Sequence, residues 1–238
     1  MLSYDGTDYH GWQIQTRART VQGVLLEAAR RRLGPETRIT GASRTDAGVH
    51  AIRQVASLTT TARVPSLGIR GALNADLPRD IRVLDVREAA PAFDARRAAT
   101  GKRYAYLIDT GAIPNPFLLR YAWHVPRELD VDAMRRSLAP LRGRHDFSAF
   151  CAAPGRDKNP VCVVRAFHVI RRRERLALLI SADRYLHHMV RNVVGSAIAV
   201  GRGAHDADWL RAVRASRDRT RAGPTAPAQG LALVRVLY

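Results

Sequence analysis

Two runs, VCVVRAFHVIRR (161–172) and RLALLISA (175–182), stand almost back to back and decide the fold. Both are rich in valine, isoleucine and leucine, which suit a pleated surface, and two such runs this close pair as an antiparallel hairpin. Outward from the hairpin, KRYAYLID (102–109) alternates as a strand does, and LALVRVLY (231–238) closes the chain as another. LDVDAMRRSLAPL (129–141) and LHHMVRNVVGSAIAVG (186–201) have helical spacing. The earlier part of the chain follows a similar plan. TVQGVLLEAARRRLG (20–34) predicts a helix with a glycine stop, TRITGASR (37–44) and QVASLTT (54–60) predict strands, VPSLGIRGALNADL (64–77) a helix and DIRVLDVRE (80–88) a strand. Single helices between strands, with hairpins present, indicate an α+β fold with a mixed, largely antiparallel sheet. The division falls in the alanine- and proline-containing segment near residues 90–100, giving halves at 1–98 and 99–238. APGRDKNP (153–160) carries turn residues and charge and reads as an exposed, mobile loop.

Charge narrows the function. Lys+Arg 39 against Asp+Glu 21 leaves a net charge of +18, and every cation but Lys102 and Lys158 is arginine. Genomic base composition accounts for the preference for arginine but not for the size of the excess, which points to a polyanionic partner, most simply nucleic acid. With 46% hydrophobic residues in 238, the chain has enough apolar material for a real core, so extensive disorder is excluded. MLSYDGTDYHGW (1–12) has no basic start followed by an apolar run, and the longest apolar stretch, VVGSAIAVG (193–201), is far shorter than the roughly 20 residues of a spanning helix. A cytoplasmic protein with no membrane partner is expected. Cys151 and Cys162 cannot form a disulfide framework, and no CxxC or HxxxH spacing offers a zinc site. His187 and His188 are adjacent, about 100° apart if both are helical, and converge poorly on a metal. No metal is expected.

Eight strings then match one family in order: YDGTDYHGWQIQ (4–15), TVQGVLLEA (20–28), GASRTDAGVHA (41–51), LNADLPRDI (73–81), FDARRAATGKRYAYLI (93–108), HDFSAF (145–150), YLHHMVRNVVG (185–195) and TAPAQGLALVRVLY (225–238). Together they resemble the tRNA pseudouridine synthase A family over essentially the whole chain. The resemblance implies isomerisation of uridine to pseudouridine in the anticodon stem-loop of tRNA, at tRNA positions 38 to 40, by a homodimer with no cofactor and no metal. It also implies the pseudouridine synthase fold, two α+β halves sharing a mixed, mostly antiparallel central sheet with a catalytic cleft between them. One departure is visible. Members of that family carry a longer first strand ahead of YDG, and here only Met1, Leu2 and Ser3 precede it, which implies either a start placed too far downstream or an unusually short strand.

The chemistry moves uracil's glycosidic attachment from N1 to C5, and a carboxylate can assist as nucleophile without a metal. By resemblance Asp46 is that carboxylate; attack on C1′, attack on C6 and help with deprotonation all remain open to it. Its local string alone also suits an ordinary turn residue. A closed pocket disfavours an ionised carboxylate, and a nearby guanidinium opposes that cost. Arg44, two residues away on a strand-like segment, shares a face with Asp46 without necessarily meeting it. The resemblance instead assigns Arg44 to the RNA, filling the space left by a nucleotide that must leave the stack to be reached. Arg191 is the better partner for Asp46. On a helical wheel from Leu186, Val190, Val193, Ala197 and Val200 fall within about 40° of its direction and Arg191 roughly 140° away, so Arg191 flanks the apolar stripe. Gly195, one turn further on that side, allows another backbone to approach closely. Tyr104 and Tyr106 project to one strand face, and periodicity does not separate them. The resemblance selects Tyr104 to stack on the uracil, leaving Tyr106 to packing. Lys102, Arg103, Arg96 and the acid-poor stretch RASRDRTRAG (214–223) are candidate phosphate contacts.

Two rivals come from other classes. A non-catalytic RNA-binding α+β module would use the same charge and aromatics but needs no carboxylate among them, because negative charge opposes RNA binding. A phosphodiester-cleaving nuclease gathers several carboxylates or a histidine pair, and Asp46 has no acidic companion close in sequence.

Overall fold

The computed structural model describes residues 1–152 and 159–238, so most of the loop expected at 153–160 lies outside the described residues. The chain forms two compact units, Met1–Thr100 together with Ala232–Tyr238, and Gly101–Leu231.

The first unit runs β1 (Leu2–Tyr4), α1 (Val21–Leu33), β2 (Arg38–Gly41), β3 (His50–Gln54), β4 (Ala56–Thr59), α2 (Ser66–Asp76) and β5 (Ile81–Val83). α1 begins where Thr20 Oγ1 accepts the Gly23 N–H at 3.3 Å and stops at Gly34, whose φ of 97° is open to glycine at little cost. Its inner face buries Val21, Leu25, Ala28, Ala29 and Leu33. The strand expected over 54–60 is β4 alone; β3, which was not expected, ends at Gln54, and between the two Val55 turns its carbonyl to accept the Ala42 N–H at 2.8 Å. β4 then pairs with β2 in a separate antiparallel ribbon. β2 ends at Gly41, where a side chain would lie 2.4 Å from the Trp12 ring.

The second unit runs β6 (Gly101–Asp109), β7 (Trp123–His124), α3 (Val131–Leu138), β8 (Gly143–Asp146), β9 (Val161–Arg172), β10 (Arg175–Ala182), α4 (Met189–Gly201) and α5 (Trp209–Ser216). β9 and β10 are the expected hairpin, paired from Arg172↔Arg175 to Val164↔Ala182 with one irregularity near Ser181. Arg173, at φ 51°, carries the turn. β10 also pairs with β6, β8 with β9, and β7 lies parallel to β6. The last strand, β11 (Leu231–Leu237), lies parallel to β3 in the first unit through Ala232↔His50 and Leu233↔Ala51. β1 pairs antiparallel with both β3 and β5. The fold is α+β with mixed, mostly antiparallel pairing, as the hairpin indicated. No helix among the described residues is long and apolar enough to cross a membrane.

Candidate active site

In the first unit Asp46 sits on a backbone-built corner between β2 and β3. Its carbonyl accepts the Val49 N–H at 3.1 Å, and Gly48, the third residue of that turn, has φ 75°. The turn is pressed against YDGTDYHGW. Trp12 N–H donates to the Thr45 carbonyl at 3.0 Å, and Gly48 N–H to that of Tyr9 at 3.2 Å. A side chain at Gly11, φ 84°, would meet the Thr45 oxygen at 2.5 Å, and one at Gly6 would meet the Val49 oxygen at 2.0 Å. Both glycines are therefore required by the approach of one backbone to the other. Tyr4 Oη and Thr45 Oγ1 share a hydrogen bond of 2.8 Å. Gln54, fully buried, brackets Ser43 from both sides: its Nε2 donates to the Ser43 carbonyl at 2.7 Å and its Oε1 accepts the Ser43 N–H at 3.3 Å. A buried amide with this two-sided pairing acts as a backbone surrogate holding the strand end just ahead of Asp46.

Arg44 is exposed and Asp46 half-buried, and the segment holding them is turn and coil, not strand. The shared-face argument, which needs a pleat, therefore does not apply to this pair. Arg96 is also exposed, in a turn where the Asp94 carboxylate accepts the N–H groups of Arg96 and Arg97, each at 2.8 Å. Those N–H bonds, the one from Arg97 foremost, hold the Asp94 carboxyl below its ordinary range.

In the second unit Lys102, Arg103 and Tyr104 follow one another on β6. Arg103 is exposed, Lys102 half-buried, and Tyr104 only 6% exposed. Tyr104 meets the ring of Tyr185 edge-on, centroids 5.0 Å apart. The Tyr185 hydroxyl donates toward the carbonyls of Ile180 at 2.9 Å and Lys102 at 3.1 Å, and burial keeps its pKa well above the ordinary value. Tyr106 is a packing residue. It is fully buried, edge-on to Trp123, and its hydroxyl donates to the Pro227 carbonyl at 2.7 Å. Burial raises its pKa, with the Arg191 charge nearby in partial opposition.

Arg191 lies in the first turn of α4, and this helix departs from the one-stripe expectation. Within it only Arg191 and Ala199 are not buried, because small residues on several sides let neighbouring backbone close over it. The close approach expected at Gly195 is present, since a side chain there would lie 1.8 Å from the Pro224 oxygen. One residue pair clamps the two segments: Ala226 N–H donates to the Arg191 carbonyl at 3.1 Å, and Arg191 Nε donates to the Ala226 carbonyl at 2.7 Å. The consecutive carbonyls of Ala226 and Pro227 thus take Arg191 from α4 and Tyr106 from β6.

The helix also starts later than its pattern suggested. α4 begins at Met189, and His188 stands ahead of it in the left-handed region at φ 58°. The two imidazoles accordingly do not diverge as they would on a helix; their rings lie 3.9 Å apart, centroid to centroid. Within 214–223 the arginines part company. Arg214 donates to the Pro140 carbonyl, Arg217 Nε lies 3.3 Å from Asp146 Oδ2, Arg219 turns into the protein and Arg221 is exposed. Gln54, Asn192 and Arg219 were not legible as site supports, because each is a polar side chain whose value comes from partners distant in sequence.

The sequence profile of the family described as "tRNA pseudouridine synthase" matches residues 1–96 and 138–238. A protein of Moorella thermoacetica named tRNA pseudouridine synthase A is 44% identical over 239 residues, spanning 100% of this chain and 97% of that protein. Proteins of the same name from Myxococcus xanthus and Chloroflexus aurantiacus are 42% and 45% identical, again across 100% of this chain and over 90% and 87% of their own lengths. A solved structure titled "Crystal Structure of a Cbf5-Nop10-Gar1 Complex" covers 99% of this chain and 57% of its own at 10% identity, with a TM-score of 0.39, too low to bear on the fold.

Proposed function

This chain belongs to the tRNA pseudouridine synthase family and is an isomerase of tRNA uridines, and from that premise we propose that its targets are the uridines of the anticodon stem-loop, tRNA positions 38 to 40. The observation that carries the narrower reading is the full-length identity to proteins named tRNA pseudouridine synthase A, which matches the ordered run of eight strings in this chain. Asp46 is the catalytic carboxylate. Its corner is fixed by backbone hydrogen bonds and by two glycines, so the backbone that carries the carboxylate is set before substrate arrives, and preorganisation of this kind lowers the cost of reaching the transition state. The reaction breaks C1′–N1, rotates the uracil, forms C1′–C5, and gives up the proton on C5 while N1 takes one up, so that the product is an isomer of the substrate; the Tyr104 hydroxyl handles the proton leaving C5. Asp46 supplies the negative charge or the new bond that carries the sugar or base through the detached stage. Tyr104 stacks on the uracil, a contact worth roughly 1 to 3 kcal/mol, and Arg191 pairs with Asp46. Arg44 holds the opened helix, while Arg96, Lys102 and Arg103 take phosphates. In this reading residues 1–98 bring the carboxylate and 99–238 bring the aromatic ring and the guanidinium, the protein works as a cytoplasmic homodimer, and neither cofactor nor metal takes part.

The test is incubation of unmodified tRNA transcripts with the protein, followed by carbodiimide treatment and primer extension. Stops confined to positions 38 to 40 are expected. Stops confined to another region of the tRNA would refute the anticodon-loop reading while leaving the isomerase intact.

A further inference from the structure

Arg219 is read by sequence as one more basic residue in a phosphate-binding stretch, and its surroundings say otherwise. Its guanidinium is turned inward and makes four contacts with the protein: Nη2 donates to Asn192 Oδ1 and to Thr225 Oγ1, each at 3.0 Å, and Nη1 donates to the carbonyls of Gly223 at 3.0 Å and Ala222 at 3.5 Å. None of these partners is a carboxylate. Partial burial lowers its pKa from the usual arginine value. Arg219 is half-buried, and a cation drawn partly out of water needs its donors met; these four bonds meet them and tie Arg219 to the segment and to Asn192.

That segment is 222–226. Thr225 Oγ1 also bonds Asn192 Oδ1 at 2.7 Å, which closes a triangle of Arg219, Asn192 and Thr225. Asn192 is itself fixed in α4, fully buried, with Nδ2 donating to the Phe150 carbonyl at 2.7 Å. Next to Thr225 is Ala226, whose carbonyl takes Arg191 Nε, and Asn192 is the neighbour of Arg191 on the helix. Gly223 N–H donates to Ser196 Oγ at 2.9 Å and seats the other end of the segment on the same helix.

We propose that Arg219 is a positioning residue of the isomerase: through Thr225 and Ala226 it sets the plane of the Arg191 guanidinium, and it does not contact tRNA. The proposal rests on the catalytic reading of Arg191. Its experimental signature is a loss in the chemical step without a loss in substrate binding.

The experiment measures single-turnover pseudouridine formation at saturating enzyme, tRNA affinity at several salt concentrations, and thermal unfolding, for Arg219→Met, Arg219→Lys and Thr225→Val, each in the parent and in Arg191→Ala. Arg219→Met should slow the chemical step about ten- to a hundredfold, the rate equivalent of one charged hydrogen bond, with affinity and salt dependence unchanged. Arg219→Lys, which keeps a donor to Thr225 or Asn192, should recover part of that loss. In the Arg191→Ala background neither Arg219→Met nor Thr225→Val should slow the reaction further, because the group being positioned is gone. Should Arg219→Met fail to fold, Thr225→Val carries the same comparison with the shape of the side chain preserved.

Three results overturn the proposal. Independent, multiplicative losses in the double variants would mean that Arg219 acts elsewhere. Weakened tRNA binding with a shallower salt dependence would make Arg219 a phosphate contact. An Arg191→Ala enzyme of undiminished rate would remove the catalytic role of Arg191 and this proposal together, whereas a slowed Arg191→Ala with multiplicative losses would remove this proposal alone.

Discussion

Asp46 and Arg191 are held by opposite means. The carboxylate stands on a corner made of backbone, where carbonyls and N–H groups of 44–49 interlock with those of 4–12 and two glycines remove the side chains that would keep them apart. The guanidinium stands on a helix whose surroundings are fixed by side chains: Asn192, Ser196, Arg219 and Thr225 tie a distant segment to α4. A backbone corner needs particular residues at adjacent positions, and so it leaves a compact word in the sequence. A side-chain network is spread over dozens of positions and leaves none.

The first way to break this comparison is to remove the charge and leave the corner. Asp46→Asn should lower single-turnover isomerisation by on the order of a thousandfold or more, with tRNA affinity kept or slightly raised because a like charge to phosphate has been removed. Product formation near the parent rate would take the catalytic role from Asp46. The second way is to break the corner and leave the charge. Gly6→Ala places a methyl 2.0 Å from the Val49 carbonyl oxygen and Gly195→Ala places one 1.8 Å from that of Pro224, so both should lose at least about 3 kcal/mol in denaturant unfolding, the upper end of overpacking. Gly71→Ala, in α2 with nothing within 4 Å, should instead gain about 0.5–1 kcal/mol. Equal effects at all three positions would show that close approach is not what these glycines serve.

A finer cut separates the two tyrosines of β6. Tyr104→Phe keeps the ring proposed to stack on the uracil and removes the hydroxyl proposed to handle the proton leaving C5, so it should bind tRNA normally and fail in a chemical step, while Tyr106→Phe should react normally and lose about 1 kcal/mol of stability with its bond to the Pro227 carbonyl. Stability losses of the same size in both, with both reacting normally, would place Tyr104 in packing as well. The smallest effect concerns exposed charge. Arg96→Ala and Arg103→Ala should each reduce the slope of log affinity against log salt by roughly 0.7 to 0.9, one phosphate contact apiece, measured by filter binding across salt concentrations. An unchanged slope for either would take that residue off the RNA.

Much of the fold was legible for the same reason that the corner was. Thr20 and Gly34 mark the ends of α1 because capping is local chemistry, and the hairpin of β9 and β10 is visible because its two runs are adjacent and apolar. Where tertiary contacts decide, the sequence is quiet. The break at Val55 depends on Ala42, and the late start of α4 depends on His188 accepting a left-handed backbone that no local signal announces. α5 was hidden inside a stretch dominated by its arginines, although Leu210 and Val213 give it a buried face. The wheel for α4 found Arg191 at the margin of one stripe, when the helix is enclosed on nearly every side by segments that a wheel does not contain.

The return of β11 to β3 sets an order in time. The first hundred residues leave the ribosome with the edge of β3 bare, and the strand that covers it is made only after Gly101–Leu231. Synthesis of Gly101–Leu231 at about 5–20 residues per second leaves that edge waiting on the order of ten seconds. An unpaired edge is a template for any extended peptide nearby, so nascent chains are most exposed to mispairing before β11 emerges. For the same reason a chain truncated at its carboxyl terminus would betray itself in the amino-terminal unit, where the missing strand belongs.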